Sequence, residues 1–321
     1  KNYSEWITKT DRPTLSCDIF TKKIMPLLTD NKKTCLLVMD AMRFDQFLEL
    51  TPMLSEDYSI KMEPSLSLIP SATPYSRNAI FSGLFADEMC ELYPNQKKEM
   101  IEDRGGLNNF EKEFLSDQMK KNGFSNKKMH YHKIWAADEG KRFSSKIKDF
   151  VNNDLLAIVV NFVDQLAHRR SESDVLKEMV PDESGYRKAV SSWYAKSWIK
   201  NVLSELSLAG YNVILTSDHG SVMVNESAMV AADKNSSTGM RYKYGTNINT
   251  SDKKALDIRI QDNYRLPNLG VRTNYLIAKD NFYFVYTNDQ KKYQKMLENS
   301  FQHGGISIEE MLIPILTMEP K

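Results

Sequence analysis

The segment Thr34-Cys-Leu-Leu-Val-Met39, followed at once by Asp40, decides how the rest of the chain is read. An unbroken apolar run of strand length suits a strand covered on both faces, because a half-exposed strand would alternate. An ionised carboxylate is expensive to bury, so Asp40 marks the point where the strand leaves the core. The pattern recurs twice. Leu155–Phe162 is a second buried run, stopped by Asp164, and Asn212–Ser217 is a third, ending in Asp218-His219-Gly220. Helical patterns lie between these runs. Phe110–Asn122 is closed by Gly123, and Glu139–Val151 follows. In Gly185–Leu208, residues Val190, Tyr194, Trp198, Val202 and Leu206 recur at every fourth position until Gly210. Strands alternating with helices predict an α/β fold, a three-layer sandwich around a mainly parallel sheet. Ligands of such folds gather at the carboxyl ends of the strands.

Working outward, residues 43–50 read as a short helix and Tyr58–Leu66 as a strand. Ser67–Pro74 is a loop, and Pro74 favours the first turn of a helix running to Phe81, which puts Thr73 near its N-cap. Lys128–Trp135, Tyr275–Ala278, Phe282–Tyr286 and Leu312–Met318 read as further strands, and Asp289–Phe301 as a helix. Polar segments at about 86–135, which includes Gly105-Gly106, and at 221–270 are expected to form cap insertions. Residues 1–31 form a helical lead-in or linker, and 32–321 the main domain.

The 321 residues are 41% hydrophobic and 26% charged, ample for a buried core. Lys plus Arg number 43 against 42 Asp plus Glu, so the net charge of +1 carries no whole-molecule signal for nucleic acid. Cys17, Cys35 and Cys90 are too few and too scattered for a disulfide framework or a Cys-rich zinc site, which fits reduced thiols in a cytoplasmic protein. No apolar stretch reaches the roughly 18–20 residues of a spanning helix. The start has no signal-peptide character, and a first residue of Lys1 rather than Met fits a fragment of a longer chain.

One acid past a strand is commonplace as a helix cap, whereas three together favour a metal or catalytic site. The five histidines sharpen this. His219 follows Asp218 directly, and His168 follows Asp164 by four residues, one helical turn. His303 lies in the turn His303-Gly304-Gly305, where backbone can approach a ligand closely. His130 and His132 read as ordinary sheet residues. Imidazole and carboxylate donors without thiolate suit zinc or manganese, and the set is too large for one tetrahedral ion but suits two bridged by a substrate.

These segments resemble the alkaline phosphatase superfamily, and within it the PglZ domain. The likeness is carried by Leu36-Leu-Val-Met-Asp40-Ala-Met-Arg43, Pro70-Ser-Ala-Thr73-Pro-Tyr-Ser-Arg77, Asn161-Phe-Val-Asp164-Gln-Leu-Ala-His168, Thr216-Ser-Asp218-His219-Gly220 and the stretch from His303 to Pro314. It is most similar to the PglZ output domain of PorX-type response regulators, which carry a receiver domain upstream. The resemblance implies that Asp40, Asp218, His219 and Thr73 hold one divalent ion and that Asp164, His168 and His303 hold the other. It makes Thr73 the nucleophile of a phosphodiesterase or phosphatase, and Thr rather than a modified Cys or Ser argues against sulfatase chemistry. It further implies a nucleotide or oligonucleotide substrate, a response-regulator role in type IX secretion, and a homodimer as an option. Arg77 and Asn78, just after Thr73, are candidate substrate contacts. So is Arg241-Tyr-Lys243-Tyr244, whose cations and aromatics suit a nucleotide as well as they suit a solvent-facing strand. A signalling module that binds a partner or senses a nucleotide, with turnover secondary, is the other reading.

Overall fold

Every residue of β1 (Thr34–Met39), β4 (Leu155–Val160) and β5 (Asn212–Thr216) is buried. These three strands are the centre of a six-stranded sheet in the computed structural model, which describes residues 2–97, 109–231, 239–250, 253–286, 293–294 and 297–321. The strand order is β2-β13-β5-β1-β4-β3, with β2 at Tyr58–Leu66, β3 at Met129–Ile134 and β13 at Leu312–Pro320. β1 runs parallel to both β4 and β5, and β3 parallel to β4. β13 is antiparallel to β5 and to β2, so it alone is reversed.

Side chains of the central strands alternate between two apolar cores. Leu36, Val38, Leu155, Ala157, Val159 and Ile214 face one. Cys35, Leu37, Met39, Leu156, Ile158, Val160, Val213 and Leu215 face the other. The first core is covered by helices α2 (Thr73–Ser82) and α3 (Glu111–Lys121), and the second by α1 (Phe44–Leu54), α4 (Ala137–Ser145), α5 (Phe162–Glu172), α6 (Glu183–Lys196) and α7 (Trp198–Leu208). The result is the expected three-layer α/β sandwich with a mainly parallel sheet.

Four expectations need correction. The single helix 185–208 is two helices, because Ser197 is extended (φ −90°, ψ 161°) and its hydroxyl donates to Tyr194 O at 3.2 Å. Serine competes for backbone in this way and breaks a helix that the apolar ladder alone would continue. The strand at the end of the expected 86–135 cap, β3, is an edge strand of the main sheet. Beyond the second expected cap, β10 (Thr273–Ala278) pairs with β8 (Tyr242–Thr246) and β9 (Ala255–Ile258), so the small sheet reaches past residue 270. The helix expected at 289–301 gives way at its end to β12 (Ser300–Gln302), which pairs with β6 (Val222–Val224). Its residues 289–292 and 295–296 lie outside the described residues, as do Gly105 and Gly106. No helix among the described residues is long and apolar enough to cross a membrane.

Candidate metal and phosphoryl site

The carboxyl ends of β1, β4 and β5 converge on one place. Asp40 follows β1 directly. The chain then turns through Ala41, whose positive φ of 58° aims its N–H at Asp218 Oδ1, 3.2 Å away. Ser217, just past β5, ties the two strand ends together: its Oγ accepts from the Met42 N–H at 3.0 Å and lies 2.6 Å from Met39 O. Thr73 is the first residue of α2. His303 is brought in by the turn after β12, and that turn is fastened to the Thr73 loop, with Ser71 Oγ donating to Gly305 O at 2.8 Å.

Two clusters result. In each, one ligand atom per side chain lies within 4.8 Å of the others: Asp40, Asp218 and His219 in the first, Asp164, His168 and His303 in the second. The His219 and His303 rings stack with centroids 4.3 Å apart, so the clusters adjoin. His219 Nδ1 lies 3.0 Å from Gly220 O. A proton held there leaves the Nε2 lone pair facing Asp218 Oδ2 (3.6 Å), Asp40 Oδ1 (3.9 Å) and Thr73 Oγ1 (3.2 Å). In the second cluster Asp164 Oδ1 is 3.3 Å from His168 Nε2 and 3.5 Å from His303 Nε2. The clusters differ in exposure: the first is fully buried, whereas the His168 side chain is 54% exposed.

The electrostatics follow from that burial. Burial pushes Asp40 up to about 7, against the pull of Arg77, with Asp218 and Asp164 adding to the rise. Burial also raises Asp218, opposed by Arg77 and the Ala41 N–H. Burial drives His303 down to about 4, aided by its neighbour His219. Asp164 goes the other way: its burial is outweighed by His168, His303 and His219, and its carboxyl sits below the usual range. Asp40 Oδ1 and Asp218 Oδ2 are buried without a hydrogen-bond donor among the described residues. Orphaned carboxylate oxygens are costly, and a divalent cation beside the lone pair of His219 satisfies both. The donor set fits the expected metal.

The candidate substrate contacts lie elsewhere than expected. Arg77 is 2% exposed, with Nη1 2.6 Å from Asp40 Oδ2 and 3.1 Å from Asn161 Oδ1, and Nε 2.7 Å from Glu111 Oε1. Glu111 is itself buried, 3.1 Å from Lys133 Nζ and bonded to the Tyr131 hydroxyl. Arg77 is therefore a buried brace behind Asp40. Asn78 is buried too, its Nδ2 donating to Pro74 O at 3.0 Å. Arg241 is wholly buried and forks onto Glu310, with Nε–Oε1 2.9 Å and Nη2–Oε2 2.5 Å. Glu310 in turn accepts from the Gly305 and Ser307 N–H groups at 2.8 and 3.0 Å. This pair pins the turn that carries His303, and a Cβ at Gly305 would overlap the Arg241 guanidinium. Lys243 is buried with Nζ 4.7 Å from the centroid of the Tyr286 ring, and Tyr244 packs on Tyr275 at 5.6 Å. None of Arg241, Lys243 and Tyr244 forms a solvent-facing basic and aromatic surface, because the polar segment that contains them folds inward as sheet β8-β10-β9. Sequence reasoning missed Glu111, Asn161, Ser217 and Glu310. Only Glu310 had a local signal, as the fourth residue of the capping box Ser307-Ile-Glu-Glu310.

A mainly parallel α/β sheet with paired Asp/His clusters at its carboxyl edge is the arrangement of an alkaline phosphatase-like domain. The chain belongs to the PglZ family: the profile described as the BREX system PglZ alkaline phosphatase-like domain matches residues 19–318. Among solved structures, it is similar to murine ectonucleotide pyrophosphatase/phosphodiesterase 5, at 13% identity and a TM-score of 0.59, covering 89% of this chain and 88% of that one. It is also similar to phosphonoacetate hydrolase from Sinorhizobium meliloti 1021 in complex with phosphonoformate, at 10% identity and a TM-score of 0.57, covering 89% and 90%. The same hydrolase in complex with phosphonoacetate gives 10% and 0.53 over the same shares. Comparison with curated proteins gives no match.

Proposed function

We propose that this chain is a two-metal phosphoric ester hydrolase acting on phosphodiesters, with Thr73 as nucleophile. The observation that carries this is the Thr73 hydroxyl, 3.2 Å from His219 Nε2 at the point where the two Asp/His clusters adjoin. Asp40, Asp218, His219 and Thr73 would hold one ion, and Asp164, His168 and His303 the other, with zinc or manganese suited to the donors. When bound, the pair supplies the positive charge that makes a Thr hydroxyl nucleophilic and steadies the leaving oxygen. Thr73 Oγ1 attacks phosphorus as the ester bond to one alcohol breaks, that alcohol leaving with the proton the hydroxyl gives up, and water then cleaves the Thr73 phosphoester, releasing the phosphomonoester and restoring the hydroxyl. The first turn of α2, which carries Thr73, favours the phosphoryl negative charge through its dipole. Arg77, braced by Glu111 and Asn161, opposes the protonation that burial favours at Asp40 and aims its carboxylate.

A nucleotide or oligonucleotide substrate is supported by the name of the murine neighbour, a pyrophosphatase/phosphodiesterase. The segment Arg241–Tyr244 no longer supports it. The resemblance to PorX-type output domains supports a cytoplasmic response-regulator context with an upstream receiver domain.

The test is hydrolysis of bis-p-nitrophenyl phosphate by wild type and Thr73→Ala, each with and without chelator and then with zinc or manganese restored. Activity should need both Thr73 and metal. Turnover that survives Thr73→Ala sinks the nucleophile assignment.

A further inference from the structure

Helix α5 has two chemically different faces. Asp164 and His168, one turn apart, look towards the metal clusters. Phe162, Gln165 and Arg169, spaced i, i+3, i+7, fall on a neighbouring face, about a third of a turn round the helix. That second face lines a cavity of about 320 Å³ beyond the ends of β3 and β4, walled also by Trp135, Trp193 and Trp198. Its size lies at the small end of ligand pockets, which span roughly 300–1,000 Å³.

The walls are flat and held in place. Phe162 and Trp193 stack with centroids 4.0 Å apart and planes 6° from parallel. Trp135 is fixed to α5 by Gln165, whose Nε2 donates to Trp135 O at 2.7 Å. Trp198 covers Gly140 so closely that a Cβ there would overlap its indole. The cation of the lining is Arg169, which is exposed and makes no ion pair among the described residues. Lys133, above the Trp135 ring at 5.4 Å, is already committed to Glu111. Aromatic faces reward a flat π-system, and an unpaired guanidinium at the rim rewards a negative charge on it.

We propose that this cavity is a second binding site, separate from the metal clusters, for a small planar aromatic anion. The ring system enters between the tryptophans and the anionic group pairs with Arg169.

Three of the four tryptophans line the cavity, and the other, Trp6, lies in the N-terminal helix Tyr3–Trp6, so intrinsic fluorescence reports mainly on this site. Adenosine 5′-carboxylate is a suitable probe because its adenine is planar, its carboxylate supplies the negative charge and it has no phosphoester to cleave. Its binding to the metal-loaded chain is measured by calorimetry and by tryptophan quenching, beside adenosine, which lacks the charge, and cyclohexanecarboxylate, which lacks the aromatic plane. The expected result is saturable quenching by the carboxylate, weakened about tenfold or more in Arg169→Ala. Adenosine should bind more weakly and be indifferent to that substitution, and cyclohexanecarboxylate should not bind. Trp193→Leu should remove binding while metal content stays at the wild-type level. The proposal is overturned by any of four results: no probe binds, calorimetric binding leaves the fluorescence unchanged, Arg169→Ala binds as wild type does, or cyclohexanecarboxylate binds equally. It is also overturned if the chain is a dimer that Arg169→Ala or Trp193→Leu dissociates, since a second copy would then occupy the cavity.

Discussion

Thr73 Oγ1 and Arg77 Nη1 approach the first Asp/His cluster from opposite ends of one helical turn of α2, and they should respond to mutation differently. Thr73→Ala should lower kcat on a phosphodiester by about 10³-fold or more while both ions stay bound, because the hydroxyl is the reacting group. Steady-state kinetics with metal analysis on the same sample checks this. Glu111→Gln acts one step further out. It removes the charge that braces Arg77, 2.7 Å away, and leaves a buried cation with Asp40 as its nearest carboxylate. Metal affinity should fall about 10- to 100-fold, as for other supports behind a ligand, and stability should fall by about 3 kcal/mol. Competition with a chromogenic chelator reads the first and urea denaturation the second. Wild-type metal affinity in Glu111→Gln would mean that Arg77 braces the fold alone. The carboxylates of the two clusters were legible at this scale. A carboxylate just past a buried, mainly apolar strand has few places to go other than the sheet edge: Asp40 follows β1 directly, Asp218 lies two residues past β5, and Asp164 lies four past β4 in the first turn of α5.

At the scale of elements, the turn from His303 to Gly305 depends on a buried pair, Arg241 just before β8 and Glu310 in the short helix Ile308–Met311. Arg241→Ala should cost about 3–5 kcal/mol, because it leaves the Glu310 carboxylate buried and unpaired. The double change Arg241→Met with Glu310→Leu should cost less than either single loss. In both variants the His303 turn loses its clamp, so chelator titration should show a weakened outer ion and an unchanged inner one. Loss of both ions together would mean that the clamp supports the whole site. Arg241 is where reading the sequence went wrong, and the reason is physical. A cation between tyrosines in a polar stretch looks solvent-facing, and the partner that buries it stands 69 positions away. The break at Ser197 was hidden by the same kind of signal, an apolar ladder that stays in phase across two helices. The alternation of strands and helices was legible because it needs only local periodicity. Glu111 and Asn161 were not, because their roles exist only once α2 packs on the sheet.

For the whole molecule, the sheet edge joins two clusters of unequal depth. Any ion that binds the folded chain and not the unfolded one stabilises it by mass action, about 4 kcal/mol at a thousandfold excess over Kd. Removing both ions should therefore lower the melting temperature, as differential scanning calorimetry with and without chelator would show. The loss should come in two steps, first at the Asp164 cluster, where His168 is 54% exposed, and later at the Asp40 cluster, whose three side chains are buried. Ions held at these two depths would also be separated in time. An inner ion, held among buried side chains beside the partly exposed Thr73, would leave and enter more slowly, so its identity would reflect the cell in which the chain folded. The outer one exchanges with whatever surrounds the finished protein. A purified sample would then carry two different elements without any mutation, one inherited from the growth medium and one from the buffer.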